Sequence, residues 1–166
     1  MIEPNPATTT RIVRQRVGNA VLDLLPQGDM YLIRPPRFGN PWPEMGGVFA
    51  GGIVSPDDDR TRDVWLILSN RSRVLPWHAA ITWATDLRID GLGGWSLPSR
   101  QEMGVLFANI RHLLKPTPHW TCARLAWDSD EAYAFCFEDG FCSWQYNTSD
   151  GLIARAVRRI PMRIEQ

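Results

Sequence analysis

Apolar residues recur every three or four positions in two stretches of the chain, and this spacing predicts two amphipathic helices. The longer helix is expected over residues 100–114, with these residues on one face: Met103, Leu106, Phe107, Ile110, Leu113 and Leu114. The shorter is expected over residues 77–87, with Trp77, Ala80, Ile81, Ala84 and Leu87 on one face. Ser99 and Glu102 have the spacing of a capping box, which marks the start of the longer helix.

Short runs rich in β-branched and aromatic residues predict strands in much of the remaining chain. Residues 46–54 and 64–68 are expected to pair as a hairpin, with glycines marking bulges or a close approach of two backbones. Four further strands are expected at residues 119–122, 132–137, 141–146 and 153–159, with a turn at residues 138–140. Two helices kept apart from an antiparallel sheet place the chain in the α+β class.

The first 41 residues are predicted to form an N-terminal arm, followed by a domain that covers residues 42–166. Residues 1–10 are expected to be disordered. Residues 11–25 fit either an amphipathic helix or a strand, and residues 26–43 predict a linker or an irregular wrap. The arm either docks on the domain or joins copies of the chain into a homo-oligomer, and both alternatives stay open.

Charge and length exclude several classes of function. Eighteen basic residues balance eighteen acidic ones, so the chain lacks the electrostatic footprint of a protein that binds nucleic acid or an anionic membrane. The longest apolar stretches are far shorter than a bilayer span, so no membrane insertion is expected. The first residues do not form a secretory signal peptide, and three cysteines without such a signal favour a reducing compartment.

Residues typical of catalytic and metal sites are present, but not at the spacing that such sites need. His78, His112 and His119 lack metal-ligand spacing, and no Gly-x-Ser-x-Gly segment presents a nucleophile. Three consecutive aspartates at residues 57–59 are expected to form a solvated hairpin tip instead of a calcium site. The sequence therefore predicts no catalytic residue, no metal and no cofactor.

Cys136 and Cys142 flank the predicted turn at residues 138–140. With a three-residue loop the two cysteines would face each other near disulfide distance, whereas with a two-residue loop Cys136 would face Ser143. Cys122 stays unpaired in both cases. The interpretation that we favour is that all three are small buried hydrophobic residues.

Aromatic residues are concentrated in the C-terminal half of the chain. Alternation places Tyr133, Phe135 and Phe137 on one face of their strand and smaller residues on the other. One face must build the core, and the other would then leave aromatic rings exposed beside polar side chains. Such a combination is typical of binding surfaces. The candidate ligand-binding residues are Trp120, Arg124, Trp127, Asp130, Trp144, Tyr146 and Asn147.

Several short segments, in order along the chain, match a family pattern. They are Gly46-Gly47-Val48-Phe49-Ala50-Gly51, Trp65-Leu66-Ile67-Leu68, Trp77-His78-Ala79-Ala80, Trp83-Ala84, Trp95-Ser96-Leu97-Pro98-Ser99-Arg100-Gln101-Glu102, Trp120-Thr121, Asp139-Gly140 and Arg155-Ala156-Val157-Arg158-Arg159. Through them the region from about residue 42 to 161 resembles the Lcl C-terminal-like domain family. The resemblance implies a C-type-lectin-like fold, with the ligand surface on the C-terminal strands and loops.

The resemblance also implies a function in binding. Members of the family look like surface adhesin tips, phage tail or receptor-binding modules and variable proteins of diversity-generating retroelements. We therefore expect a non-enzymatic module, encoded by a phage or prophage, that recognises a host surface protein or glycan. The alternative is an intracellular phage-encoded interaction protein that inhibits a host defence or regulatory system. The expected location is accordingly the virion, for example a tail fibre, or the bacterial cytoplasm.

Two departures from relatives of the implied fold narrow this expectation. Sugar-binding lectins hold calcium with a Glu-Pro-Asn type motif in a long loop, but here Glu3-Pro4-Asn5 precedes the domain, so calcium-independent binding is expected. Formylglycine-generating enzymes of this fold use a reactive cysteine pair with copper. The sequence does not resemble their active site, so Cys136 and Cys142 do not inherit that role.

Overall fold

The computed structural model describes residues 12–17, 20–27, 30–56, 62–125 and 130–165. This part of the chain contains the helices α1 (Trp77–Asp86) and α2 (Arg100–Ile110). Its strands are β1 (Val13–Val17), β2 (Ala20–Gln27), β3 (Met30–Ile33), β4 (Pro41–Trp42), β5 (Gly47–Ile53), β6 (Val64–Leu75), β7 (Trp95–Ser96), β8 (Pro118–Arg124), β9 (Glu131–Cys136), β10 (Cys142–Asn147), β11 (Leu152–Pro161) and β12 (Arg163–Glu165). The α+β class expected from the sequence is confirmed.

The strands form two sheets. A small antiparallel sheet has the order β1-β2-β3-β12, and a large sheet has the order β10-β9-β8-β11-β6-β5-β4, with the short β7 also paired to β11. The large sheet is antiparallel except between β8 and β11, which run parallel and pair through His119 and Ile153. Strand β11 is therefore the place where the two halves of the large sheet meet.

The predicted hairpin of β5 and β6 is confirmed. Its register shifts between Phe49 and Gly51, and Gly51 has a φ of +139°, a conformation that residues with a side chain rarely adopt. A Cβ atom on Gly51 would lie 2.6 Å from Nδ2 of Asn109, which donates a hydrogen bond of 2.8 Å to the Ala50 oxygen. The glycine thus allows α2 to pack closely on β5.

A helix packs on each face of the large sheet, so the C-terminal strands bury aromatic residues on both faces instead of on one. On one face α1 packs over a cluster that includes Trp120, Ala132 and Ala134. On the opposite face α2 covers Phe135 and Phe137. Alternation along a strand shows which side chains share a face, but not whether a second layer covers that face. Each large apolar side chain buried in this way contributes about 1.5–3 kcal/mol.

The predicted capping box at the start of α2 is confirmed. Ser99 Oγ accepts a hydrogen bond of 3.2 Å from the Glu102 N–H, and the Ser99 N–H donates one of 2.7 Å to Glu102 Oε2. The Glu102 side chain is buried and also accepts from Arg159, whose Nε lies 2.5 Å from Oε1 and whose Nη2 lies 2.6 Å from Oε2. Since Arg159 belongs to β11, one carboxylate both starts the helix and ties it to the central strand.

Helix α2 ends at Ile110, earlier than the expected residue 114. Ile110 has a φ of −140°, outside the helical range, and the chain continues as a 3-10 turn over Arg111–Leu113. The Leu114 N–H closes this turn with a hydrogen bond of 3.0 Å to the Arg111 oxygen. Leu114 is still buried against the sheet, so the apolar face extends past the end of the α-helix.

The N-terminal residues form strands, which decides between the two alternatives for residues 11–25. Strand β1 pairs with β2, and Val13 lies opposite Leu24. The β-branched side chains of this segment favour a pleated strand over a helix. Residues 1–10, expected to be disordered, lie outside the described residues.

The interpretation of residues 26–43 as a linker or irregular wrap is wrong for β3, which pairs with β2 and β12. Leu22, Leu24 and Ile33 are buried in the cluster on the α1 face of the large sheet. The Trp65 indole N–H donates a hydrogen bond of 2.9 Å to the Ile33 oxygen. The small sheet is therefore docked on the large one, while a domain boundary at residue 41 and oligomer formation stay predictions.

Replacing Arg159 with Met is expected to lower the free energy of unfolding by about 2–3 kcal/mol, because the buried Glu102 carboxylate would lose its counter-charge. Urea unfolding followed by circular dichroism measures this change. Arg71→Met is the matched control, since Arg71 is an exposed arginine on β6, and it should change stability by less than about 0.5 kcal/mol. Equal effects of the two variants would contradict the role given to the Glu102–Arg159 pair.

Candidate functional site

Trp120, one of the predicted binding residues, is an internal side chain. It is 0 % exposed, and its indole N–H donates a hydrogen bond of 2.8 Å to the Leu75 oxygen. Its neighbour on β9 is Ala134, whose small side chain leaves room for the indole ring. Because a fully buried ring cannot contact a ligand at the surface, Trp120 can only support a site from behind.

Arg124 and Tyr146 are brought together by the sheet. Both pair with Ala132 of β9, Arg124 from β8 and Tyr146 from β10, so the three residues form one row across three strands. Side chains in one row share a face, and the two outer strands lie about 10 Å apart. Tyr146 is half-buried with its ring centroid 6.3 Å from that of Trp120, and the exposed Arg124 has its guanidinium carbon 5.9 Å from the Trp77 ring.

The strands on both sides of β9 change register beside this row. The shift in β8 falls between Trp120 and Arg124, and the shift in β10 falls between Ser143 and Tyr146. Ser143 pairs with Ala134, so it shares a face with Tyr146, although simple alternation along the sequence put the two on opposite faces. Bulges of this kind re-aim side chains and are frequent next to binding sites.

Two exposed turn residues flank the row. The Asn147 N–H donates a hydrogen bond of 3.0 Å to Asp150 Oδ2, and Asn147 Oδ1 accepts one of 2.9 Å from the Ser149 N–H. The backbone oxygen of Asp130 accepts a hydrogen bond of 2.7 Å from the Thr148 N–H. Asn147 pairs with Glu131, so alternation directs it to the opposite face from Tyr146, and the Arg124–Tyr146 surface is defined by Arg124, Ala132 and Tyr146.

The structure thus brings two predicted site residues, Arg124 and Tyr146, into one row and places Trp120 behind them, while Asp130 and Asn147 lie at the adjoining strand ends. Trp127 lies outside the described residues, and Trp144 is described only by its position in β10. The support from Trp77 was not foreseen: its backbone N–H donates to the Thr148 oxygen at 2.8 Å and its indole N–H to the Thr121 oxygen at 2.9 Å. These contacts join residues far apart in sequence, so no local pattern signals them.

Both predicted pairings of the cysteines are wrong. Cys142 lies opposite Phe135, and the Cys136 N–H donates to the Phe141 oxygen at 2.9 Å, so the loop comprises residues 137–140. This register leaves all three cysteines as free thiols. The favoured interpretation as buried hydrophobic residues is wrong for Cys122, which is exposed, whereas Cys136 and Cys142 are half-buried.

His119 is a buried histidine beside two cations. Its Nδ1 lies 2.8 Å from the Thr117 oxygen, and its ring centroid lies 4.9 Å from that of Phe137. Burial lowers the pKa of His119 to about 4, and the positive charges of Arg155 and Lys115 add to this effect. The imidazole is therefore neutral at physiological pH.

An open apolar groove of about 570 Å³ lies on the other half of the large sheet. Phe38, 57 % exposed, stacks on Phe49 with ring centroids 5.4 Å apart, and Trp65 and the pair Pro35-Pro36 complete the groove. Sequence reasoning placed exposed aromatic residues only in the C-terminal half, because Phe38 stands alone between prolines and glycines and carries no periodic signal.

The described residues contain no group of three His, Cys, Asp or Glu side chains close enough to hold a metal ion. The aspartates at residues 57–59 and the Glu-Pro-Asn segment at residues 3–5 lie outside the described part of the chain. The Thr82 hydroxyl donates a hydrogen bond of 3.2 Å to the backbone oxygen of His78, and His119 Nδ1 contacts the Thr117 oxygen, so neither of these contacts joins an imidazole to a hydroxyl or a thiol. Neither helix of the described chain is long and apolar enough to cross a bilayer.

Comparison with known proteins adds no relative. No protein-family model matches the chain, and no curated protein matches it significantly in sequence. The resemblance to the Lcl C-terminal-like domain family therefore stays a prediction, and the function has to be inferred from the surfaces of the molecule.

His119→Gln is expected to make stability less dependent on pH. Since the pKa of His119 falls from 6.5 in the unfolded chain to about 4 in the folded protein, stability is lost as the pH falls through this range. The full loss attributable to His119 is about 3 kcal/mol. Urea unfolding between pH 7 and pH 4 should show this loss in the wild type and a smaller one in the variant.

His112→Gln is the matched control, because His112 is an exposed histidine just after α2. It should keep the pH dependence of the wild type. If His119→Gln and the wild type lost stability in parallel over this range, His119 would not be a buried neutral histidine.

Proposed function

We propose that this protein is a non-enzymatic, calcium-independent ligand-binding module that contacts a protein or glycan through the Arg124–Tyr146 surface. The observation that carries the proposal is the pair of bulges in β8 and β10, which place Arg124 and Tyr146 in one row on either side of the small Ala132. Bulges are over-represented next to active sites, and here they flank two side chains on strands about 10 Å apart with a small residue between them.

Rigid backing supports this assignment. The Tyr146 ring packs edge-on against Trp120, with an interplanar angle of 86°, and Trp120 is itself fixed by its hydrogen bond to Leu75. The start of α1 is fixed to the same region by the two hydrogen bonds of Trp77. A preorganised aromatic side chain loses little conformational entropy on binding, so its contact area converts efficiently into affinity.

The chemistry of the surface suits a ligand rich in hydroxyl and carbonyl groups. Partial burial raises the pKa of the Tyr146 phenol, so this hydroxyl stays protonated and can donate a hydrogen bond at neutral pH. Arg124 adds a planar cationic donor. These contacts need no bridging metal ion, which is the basis for proposing calcium independence.

The family resemblance supports a more specific form of the proposal. In that form the domain has a C-type-lectin-like fold, is encoded by a phage or prophage, and recognises a protein or glycan of the host surface. Its ligand surface would lie on C-terminal strands, where the Arg124–Tyr146 surface lies.

One observation favours a second candidate, an intracellular interaction protein that inhibits a host defence or regulatory system. The groove at Phe38 is almost wholly apolar, and such a groove suits the side chains of a protein partner better than the hydroxyl groups of a glycan. The two candidates use different surfaces, so substitutions separate them.

The test measures binding of the purified protein to bacterial cells and to a glycan array. Arg124→Ala and Tyr146→Ala are each expected to weaken binding at least about tenfold. This loss of affinity is typical of the few interface residues that dominate binding. Arg111→Ala is the matched control: Arg111 also stacks a guanidinium on an aromatic ring, that of Phe107, but on the opposite face of the sheet.

Unchanged binding in Arg124→Ala and Tyr146→Ala would contradict the proposal. Loss of binding only in Phe38→Ser would favour the second candidate. Thermal unfolding of each variant accompanies the binding measurement, and unchanged midpoints show that a loss of binding does not come from unfolding.

A further inference from the structure

A cleft of about 290 Å³ lies between β6, β11 and the segment that joins α2 to β8. Three of the residues that line the cleft are cationic, namely Arg73, Lys115 and Arg155. None of the lining residues is acidic. Its other walls include the apolar side chains of Val74 and Leu113, which are both exposed. The cleft therefore combines concentrated positive charge with apolar surface.

Arg155 is the cation that best indicates a ligand, because its charge is partly buried and no described residue supplies a counter-charge. Its Nη2 donates a hydrogen bond of 2.6 Å to the Ser69 oxygen, while its Nε is buried and has no hydrogen-bond partner. In the part of the chain that the structure describes, no carboxylate forms an ion pair with Arg155. Buried charges in proteins are ordinarily paired, since removing a charge from water is costly.

Lys115 extends the positive charge to the mouth of the cleft, whereas Arg73 pairs with Ala154 and so lies on the opposite face of the sheet from Arg155. Lys115 and Arg73 are both exposed, and neither has a carboxylate partner among the residues described. Burial lowers the pKa of His119, and the charges of Arg155 and Lys115 lower it further. These two cations therefore act on the same small volume. His119 itself is neutral there and lines the cleft without adding charge.

We propose that this cleft binds a small phosphate monoester. Its phosphate group would contact Lys115 and Arg155, and its organic group would lie against Val74 and Leu113. Guanidinium groups match the geometry of phosphate oxygens, and an ammonium group adds a compact charge. The volume is at the lower end of the range for ligand pockets, roughly 300–1,000 Å³, so the ligand is compact. This site does not depend on the Arg124–Tyr146 surface.

The probes for the test are phenyl phosphate, inorganic phosphate and benzoate, titrated into the full-length protein by isothermal calorimetry at low ionic strength. Phenyl phosphate is expected to bind saturably with one site per chain. Inorganic phosphate should bind more weakly because it cannot contact Val74 and Leu113, and benzoate because it carries only one negative charge. Val74→Ser should reduce the preference for phenyl phosphate over inorganic phosphate.

Lys115→Met is expected to weaken phenyl phosphate binding about tenfold, the effect of losing a charge-assisted contact. Arg71→Met is the matched control, since Arg71 lies on the same strand as Arg73 but outside the cleft lining. The replaced side chains are exposed, so unchanged thermal midpoints are expected. Arg155→Lys keeps the charge but loses the planar donor, and should weaken binding less than Lys115→Met.

Three results would overturn the proposal. One is the absence of saturable phenyl phosphate binding up to about 1 mM, the limit of weak specific affinity. Another is an equal loss in Arg71→Met and Lys115→Met, which would report general charge attraction only. The third is tighter binding of benzoate than of phenyl phosphate, which would assign the cleft to carboxylates.

Discussion

Strand β11 is bonded along both edges and covered on both faces, and the rest of the large sheet extends outward from its two neighbours, β6 and β8. One edge pairs with β6 along the strand, and the other meets β8 and β7. Ala154 and Ala156 pack under α1, while Val157 packs under α2. Successive residues of a strand point to opposite faces, so the adjacent Ala156 and Val157 contact opposite layers. The arginines of the same segment act at its margins: Arg159 holds the capping carboxylate of α2, and Arg155 lies in the basic cleft.

Two-sided burial decides where function can reside. The small residues of the central strands, Ala132, Ala134, Ala154 and Ala156, make room for large rings such as Trp77 and Trp120 inside the protein. Much of the aromatic content of the chain is therefore used for packing, and the surfaces available to ligands lie where strands bulge or diverge. The Arg124–Tyr146 surface lies beside bulges in β8 and β10, and the basic cleft lies where β6, β8 and β11 meet. Both proposed sites are thus consequences of how the sheet is assembled.

Features that depend on residues close in sequence could be predicted. The capping box of Ser99 and Glu102, the start of α1 at Trp77 and the hairpin of β5 and β6 all follow from local spacing. Features that depend on strand register or on a second layer of packed structure could not be predicted. The register of β9 and β10 is set by the turn that forms, so the position of Cys142 was misjudged. The cleft could not be predicted, because Lys115 and Arg155 lie far apart in the chain and are brought together only when β11 pairs with β8.

Native-state hydrogen exchange followed residue by residue tests most directly whether β11 is the element on which the rest of the structure depends. Amides that exchange only through global unfolding report the most stable cooperative unit of a protein. The slowest exchange is predicted for β11 and the paired part of β6, with free energies equal to that of global unfolding, and faster exchange for the small sheet of β1, β2, β3 and β12. Exchange of the β11 amides by local opening, ahead of those in the small sheet, would contradict this account.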